Sequence, residues 1–211
     1  MNKIFDDIKQ IFSKNGFRLY MIGGTSRDYL LNREIDDYDF VTDATPDEIK
    51  NFLDVEMVFA KFGTVKYFYE HNKIDIVTFR VEGNYKDNRH PSKIAFVKDI
   101  NEDYVRRDFT INAIYIDENY NIIDPSGTGV KDLDNKILRF IGDPQKRVEE
   151  DPLRILRGKR FTIEYSLLME QATKNAIDNN ISLLSHINVD KINEEKVKLS
   201  KVRKNIENER T

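Results

Sequence analysis

A pair of closely spaced carboxylates and a pair of glycines hold most of the chemical promise of this chain. Met21-Ile22-Gly23-Gly24-Thr25-Ser26-Arg27-Asp28 runs on to Asp37-Tyr38-Asp39-Phe40-Val41-Thr42. Residues two apart on a strand project to one face, so Asp37 and Asp39 would stand side by side. Hard oxygen donors in that arrangement suit Mg²⁺. Two such ions could activate an attacking hydroxyl and neutralise a leaving pyrophosphate. Gly23 and Gly24 let backbone approach phosphates closely, and the N-terminus of a following helix adds N–H donors. A polar hairpin with ordinary surface carboxylates is the competing account of the same letters.

Two further blocks bring cations. Arg106-Arg107-Asp108-Phe109-Thr110-Ile111-Asn112-Ala113 sets two guanidinium groups, a carboxylate and an amide just before an apolar run. Arginine suits phosphate because its planar group donates as a fork, although a solvated helix end with local ion pairs has the same composition. In Glu149-Glu150-Asp151-Pro152-Leu153-Arg154-Ile155-Leu156-Arg157-Gly158-Lys159-Arg160-Phe161, Asp151 is a good N-cap and Pro152 fits the first helical position. Arg154, Arg157 and Arg160 then recur every third residue along one face, with Asp151 at its head. A basic solvent face on an amphipathic helix would look alike. The chemical alternative is a protein template for a base. A carboxylate accepts from the exocyclic amine of cytosine or adenine while an arginine donates to the neighbouring ring acceptors. Asp151 with Arg154 would thus admit C and A and turn away U and G.

Together the blocks GGTSRD, DDYDFVTDATP, FRVEGNYKDNRHP, RRDFTINA and EEDPLRILRGKRF, in this order over roughly residues 17 to 162, resemble the bacterial class II tRNA nucleotidyltransferases and the related bacterial poly(A) polymerases. The resemblance implies an α+β fold: a polymerase-β-like nucleotidyltransferase head with a mixed β-sheet, residues 1–143, followed by a short all-helical neck, residues 144–211. It implies that Asp37 and Asp39 bind the metal, Mg²⁺, with Asp75 as a third catalytic carboxylate. Gly23, Gly24, Arg27, Arg107 and Asn112 would contact nucleotide or triphosphate. Asp151 and Arg154 would read the base, and Arg157 and Arg160 would assist with phosphates. The implied reaction adds C and A to the 3′ end of tRNA from CTP and ATP. Terminal A addition, poly(A) synthesis or an inactive nucleotide-binding regulator are the alternatives.

Family members run nearly twice as long, through body and tail regions that grip tRNA and have no counterpart in this sequence. A dimer or a helper partner is therefore expected to replace them. The polar segment Glu82–Ser92 reads as a mobile loop of the kind that supports the switch from C to A addition. Val189-Asp190-Lys191-Ile192-Asn193-Glu194-Glu195-Lys196-Val197 is a degraded match to the family's neck motif, with Lys196-Val197 near an expected Glu-Leu pair. Phe17–Ile22, Tyr38–Val41, Val55–Ala60, Val65–Tyr69 and Ile74–Phe79 read as strands, and Thr45-Pro46-Asp47-Glu48 as a capping box opening a helix to Leu53. Leu167-Leu168, Ala172, Ala176-Ile177 and Ile181 give a helical apolar pattern, broken near Asp178-Asn179-Asn180.

With 39% hydrophobic residues the chain can build a core, and no apolar run nears the roughly 20 residues that span a membrane. No signal-peptide pattern opens the chain, and the absence of cysteine excludes disulfides and suits a cytoplasmic home. The formal net charge of -3 means that any surface for RNA must be local.

Overall fold

The computed structural model describes residues 2–83 and 93–208. In chain order the elements are α1 (Lys3–Lys14), β1 (Leu19–Met21), α2 (Gly23–Leu30), β2 (Tyr38–Thr42), α3 (Pro46–Lys50), β3 (Thr64–Tyr69), β4 (Asn72–Thr78), β5 (Arg80–Glu82), β6 (Ile94–Phe96), α4 (Ile100–Asp103), β7 (Tyr115–Ile116) and β8 (Ile122–Ile123). There follow α5 (Gly129–Asp134), β9 (Ile137–Leu138), α6 (Pro144–Glu150), α7 (Leu153–Glu164), β10 (Leu168–Met169), α8 (Gln171–Asn179) and α9 (Val189–Asn208).

A mixed six-stranded sheet in the order β3-β4-β2-β1-β7-β8 supports the site. Only β2 and β4 run parallel within it. Alternation along β4 sends Ile74, Ile76 and Thr78 inward and leaves Asp75 on the opposite face. One side of the sheet is covered by α1, which the Asn2 side chain caps by accepting from the Phe5 amide at 3.0 Å. Phe5, Ile8 and Phe12 recur at helical spacing and are fully buried there against Met21, Phe40 and Ile76.

A second core lies under α7 and α8, where Phe109, Ile155, Phe161 and Ile177 pack with Leu138 and Phe140. Phe109 and Phe140 stack at 4.6 Å between ring centroids. A β-carbon on Gly158 would stand 2.9 Å from Ile177 and 3.2 Å from Phe109, which explains a glycine in mid-helix. This core draws residues from both sides of position 143.

Several expected elements form within a residue or two of their predicted limits, and the capping box is complete: Glu48 accepts from the Thr45 amide at 2.7 Å and Thr45 from the Glu48 amide at 3.3 Å. Two runs differ. Val55–Ala60 makes only a bridge between Glu56 and Lys66 before turning into a short 3₁₀ segment, Ala60–Phe62. Val58 is left 72% exposed, so the β-branched residue has no partner strand to pack upon. Leu168-Met169 is not the start of a helix but a strand, parallel to Ile137-Leu138. The expected break at Asn180 does end α8. The predicted mobile loop lies, beyond Glu82 and Gly83, outside the described residues.

Candidate active site

Asp39 on β2 pairs in register with Asp75 on β4, so the two side chains project from neighbouring strands on one face. Asp37 stands exposed just ahead of β2. Thr25 ties this acidic edge to the start of α2: its hydroxyl donates to the Asp37 carbonyl at 3.1 Å and accepts from the Asp39 amide at 2.7 Å. Gly23 opens α2 at φ +63°, a conformation costly for any residue with a β-carbon. A β-carbon there would lie 3.4 Å from Asp39 Oδ2, and one on Gly24 3.7 Å from the same oxygen. The glycine turn therefore covers Asp39 with bare backbone.

Among the described residues, these carboxylates are only weakly matched by cations. Protein atoms crowd Asp39 although part of it stays open to solvent, and this burial, followed by the charges of Asp75 and Asp37, raises its pKa to about 6. Asp75 Oδ1 is buried without a hydrogen-bond partner; Lys73 Nζ reaches only to 3.9 Å. Among the described residues, no three acidic, histidine or cysteine side chains are drawn into a closed metal cage. An orphaned buried oxygen and a carboxyl that resists ionisation both fit a hard divalent cation, which would answer the charge and the open lone pairs together.

The arginine-rich wall is different. Asp103, at the end of α4, accepts from Arg106 Nε at 2.9 Å, from Arg107 Nη2 at 2.8 Å, from the Tyr115 hydroxyl at 2.7 Å and from the Arg80 amide at 3.1 Å. Burial alone would raise this carboxyl, but Arg107 and Arg106 hold it well below the usual carboxylate range. Arg107 also donates to the Tyr115 hydroxyl at 3.0 Å and keeps its proton more firmly than usual: Asp103 outweighs the opposing effect of burial. Asp108 likewise ionises far below the usual range despite its burial, because Arg157 binds it at 2.6 Å and Asn112 and the Phe109 amide donate to it at 3.0 and 2.8 Å. Arg27 Nη1 donates to Asn112 Oδ1. Arg27, Asn112, Asp108 and Arg157 thus form one continuous polar chain from α2 to α7.

Asp151 follows α6 as its C-cap and its side chain accepts from the Leu153 amide at 3.1 Å; α7 starts one residue later than expected, with Pro152 rather than Asp151 at the N-cap. Arg154 is buried beside it and donates to Glu150 at 3.0 Å and to the Arg147 carbonyl at 2.8 Å. Arg160 turns toward α9, where it meets Glu195 at 3.1 Å, and toward Glu164 at 2.7 Å. The bracing glutamate of α9 is therefore Glu195, one residue ahead of the position expected from the degraded motif.

Three site-building residues escaped sequence reasoning. Asp103 had a readable signal, since it precedes Arg106 and Arg107 by three and four residues, the spacing of helical ion pairs. Thr25 lay inside the glycine motif without a role. Tyr165, which touches Arg27, had no local signal because the two are separated by 138 positions.

A family model described as the poly A polymerase head domain matches residues 19–139. The chain belongs to this family. It is 39% identical to a CCA-adding enzyme of Staphylococcus saprophyticus over 94% of this chain and 51% of that protein. The structure resembles that of a CCA-adding enzyme of Bacillus stearothermophilus in complex with CTP, with a TM-score of 0.84 and 35% identity, covering 94% of this chain and 49% of the other. It also resembles a Thermotoga maritima CCA-adding enzyme complexed with tRNA, with a TM-score of 0.73, 25% identity, and 93% and 46% coverage. The chain spans about half the length of the curated relatives it matches. The α+β head with its mixed sheet is common to these structures and this one. Among the described residues, no helix is long and apolar enough to cross a membrane.

Proposed function

We propose that this chain transfers nucleotides from CTP and ATP to the 3′ end of tRNA, without a nucleic-acid template, and releases pyrophosphate. The observation that carries the proposal is the in-register pair Asp39–Asp75 beneath the Gly23–Gly24 turn, carboxylates only weakly matched by cations where backbone can approach phosphate. The sequence relatives and the CTP- and tRNA-bound structural neighbours support the same assignment.

In this account the 3′-hydroxyl oxygen attacks the α-phosphorus. A new P–O bond forms, the bond to the α,β-bridging oxygen breaks, and pyrophosphate leaves. Asp37 and Asp39 would hold Mg²⁺, which when bound stabilises negative charge on the phosphates. Asp75, whose Oδ1 has no hydrogen-bond partner among the described residues, would accept the hydroxyl proton. Arg27 and Arg107 supply positive charge to the triphosphate, and Asn112 and Arg157 hold the polar chain behind it. Asp151 and Arg154 read the base edge, which requires Arg154 to exchange part of its present bonding to Glu150 and backbone carbonyls. Arg160 serves by fixing α7 to α9. We assign residues 1–143 to the catalytic head and 144–211 to the neck, and with tRNA as substrate the cytoplasm as compartment.

The test is extension of tRNA lacking its terminal C, C and A by the purified chain with Mg²⁺ and each nucleotide in turn. Addition of C, C and A followed by a stop supports the proposal. Addition of A alone, or of a long A tract, would redirect it to the poly(A)-synthesising relatives. Nucleotide binding without any product would make the chain a regulator instead.

A further inference from the structure

Arg27 is the odd member of the arginine set. Among the described residues, the other buried arginines each touch a carboxylate: Arg147 and Arg154 meet Glu150 at 2.6 and 3.0 Å, and Arg160 meets Glu195 at 3.1 Å. Arg27 is only 4% exposed, yet its ion-pair partner Asp28 stands 3.8 Å from Nε. Nε itself is buried without a hydrogen-bond partner. The remaining bonds go to neutral groups, with Nη1 donating to Asn112 and Nη2 to the Tyr165 hydroxyl at 2.5 Å. The guanidinium lies 4.1 Å from the Tyr165 ring centroid and 5.1 Å from that of Phe161. A buried charge held by dipoles and ring faces keeps more of its field for an incoming anion than one already matched to a carboxylate. Nη2 sits 3.8 Å from where a β-carbon on Gly24 would stand, so that field is directed at the glycine turn.

Tyr165 is the residue that fixes this arrangement from outside the head. It follows the last residue of α7, whose opposite end holds Asp151 and Arg154. Its ring is held in turn by Arg33, 4.7 Å from the centroid, which also donates to the Glu164 carbonyl at 3.3 Å. Asp28, which burial pushes toward protonation, is drawn back by Arg27 and by the nearby Tyr165 hydroxyl. The tyrosine therefore acts on both charged residues of the Gly-Gly-Thr-Ser-Arg-Asp motif.

We propose that Tyr165 is a positioning residue for triphosphate binding: its hydroxyl and ring hold the Arg27 guanidinium at the Gly23–Gly24 turn, so that the helix placed to read the base also sets the charge that grips the phosphates. This rests on the nucleotidyl-transfer function proposed above. The test is calorimetric binding of CTP, UTP and inorganic tripolyphosphate, each with Mg²⁺, to the unaltered chain, Tyr165→Phe and Tyr165→Leu. Losing a charge-assisted hydrogen bond should raise Kd for CTP and tripolyphosphate by the same factor, about three- to tenfold in Tyr165→Phe. Tyr165→Leu, which also loses the ring face, should exceed it. The CTP-to-UTP ratio should stay constant, and in nucleotide addition KM should rise with kcat within about twofold. A merely structural tyrosine would lower Tm and leave the tripolyphosphate affinity of the folded variant unchanged. That result, or an altered CTP-to-UTP ratio with tripolyphosphate binding intact, overturns the proposal while the proposed function stands. An unaltered chain that binds none of these ligands overturns both. Should Tyr165→Leu fail to fold, Tyr165→Phe decides alone.

Discussion

The two walls of the candidate site are in opposite electrostatic states. Along β2 and β4, Asp39 and Asp75 face each other with Asp37 nearby and no cation in hydrogen-bond contact, and the consequence is a raised carboxyl and an orphaned oxygen. Across from them, Asp103 and Asp108 are wrapped by Arg106, Arg107 and Arg157 and ionise far more readily than a free carboxylate. The same residue type is thus unfinished on one wall and complete on the other. The finished wall is scaffold for the arginines, and the unfinished wall is where the proposed metal would bind.

The sharpest way to break this contrast is Asp39→Ala. It should reduce nucleotide addition by at least about a thousandfold, on the premise that the electrostatic handling of transferring phosphate is the dominant catalytic term. The melt should remain cooperative, because the carboxylate contributes repulsion and no structural bond to the apo fold. Steady-state rates and thermal denaturation on the same preparation check both halves; unchanged turnover would remove Asp39 from the metal assignment.

On the finished wall the expected outcome is reversed. Asp108→Asn should lower stability by about 2–4 kcal/mol, since it leaves Arg157 half-buried without its carboxylate. Urea unfolding measures this, and a loss below about 0.5 kcal/mol would mean that the buried pair is not structural. Glu195→Gln should cost less, about 1–2 kcal/mol, by replacing the charged acceptor of Arg160 with a neutral amide.

The pH profile separates the walls without mutation. Asp39 has a folded pKa raised from 3.8 to about 6, so the folded state binds its proton more tightly than the unfolded chain does. Its favourable contribution is complete below about pH 4 and disappears as pH rises through 6. Asp103 and Asp108 are lowered, so their contribution is present above the ordinary carboxylate pKa and is lost on acidification through their folded values. Apo Tm should therefore fall modestly from pH 5 to 7, and Mg²⁺ should abolish that fall in the unaltered chain. Asp39→Asn should remove it as well. An equal fall in Asp39→Asn would assign the titration to another group.

The contrast also explains what was legible in the sequence. The acidic edge could be read because strand alternation and a glycine pair are local signals, and Asp75 followed from the family resemblance. The capping box and the N-terminal amphipathic helix were readable for the same reason. The arginines were visible too, but their state was not: a stripe at positions 154, 157 and 160 reads equally as a solvent face, and only the fold brings Asp108 and Glu195 to it. Val55–Ala60 failed because β-branched composition cannot supply a neighbouring strand. Leu168-Met169 became a strand because β9 offered a free edge, a tertiary opportunity that no local period encodes. Tyr165 belongs to the same class, since its partner lies at the other end of the chain.

The most direct measurement is single-nucleotide-resolved extension of 5′-labelled, CCA-less tRNA by this chain in Mg²⁺ with CTP and ATP, run beside Asp39→Ala. The account predicts stepwise C, C and A addition by the unaltered chain and none by the variant. A cooperatively folded chain that binds CTP yet extends no tRNA at any Mg²⁺ concentration, or an Asp39→Ala variant that extends it as well as the original, would contradict it.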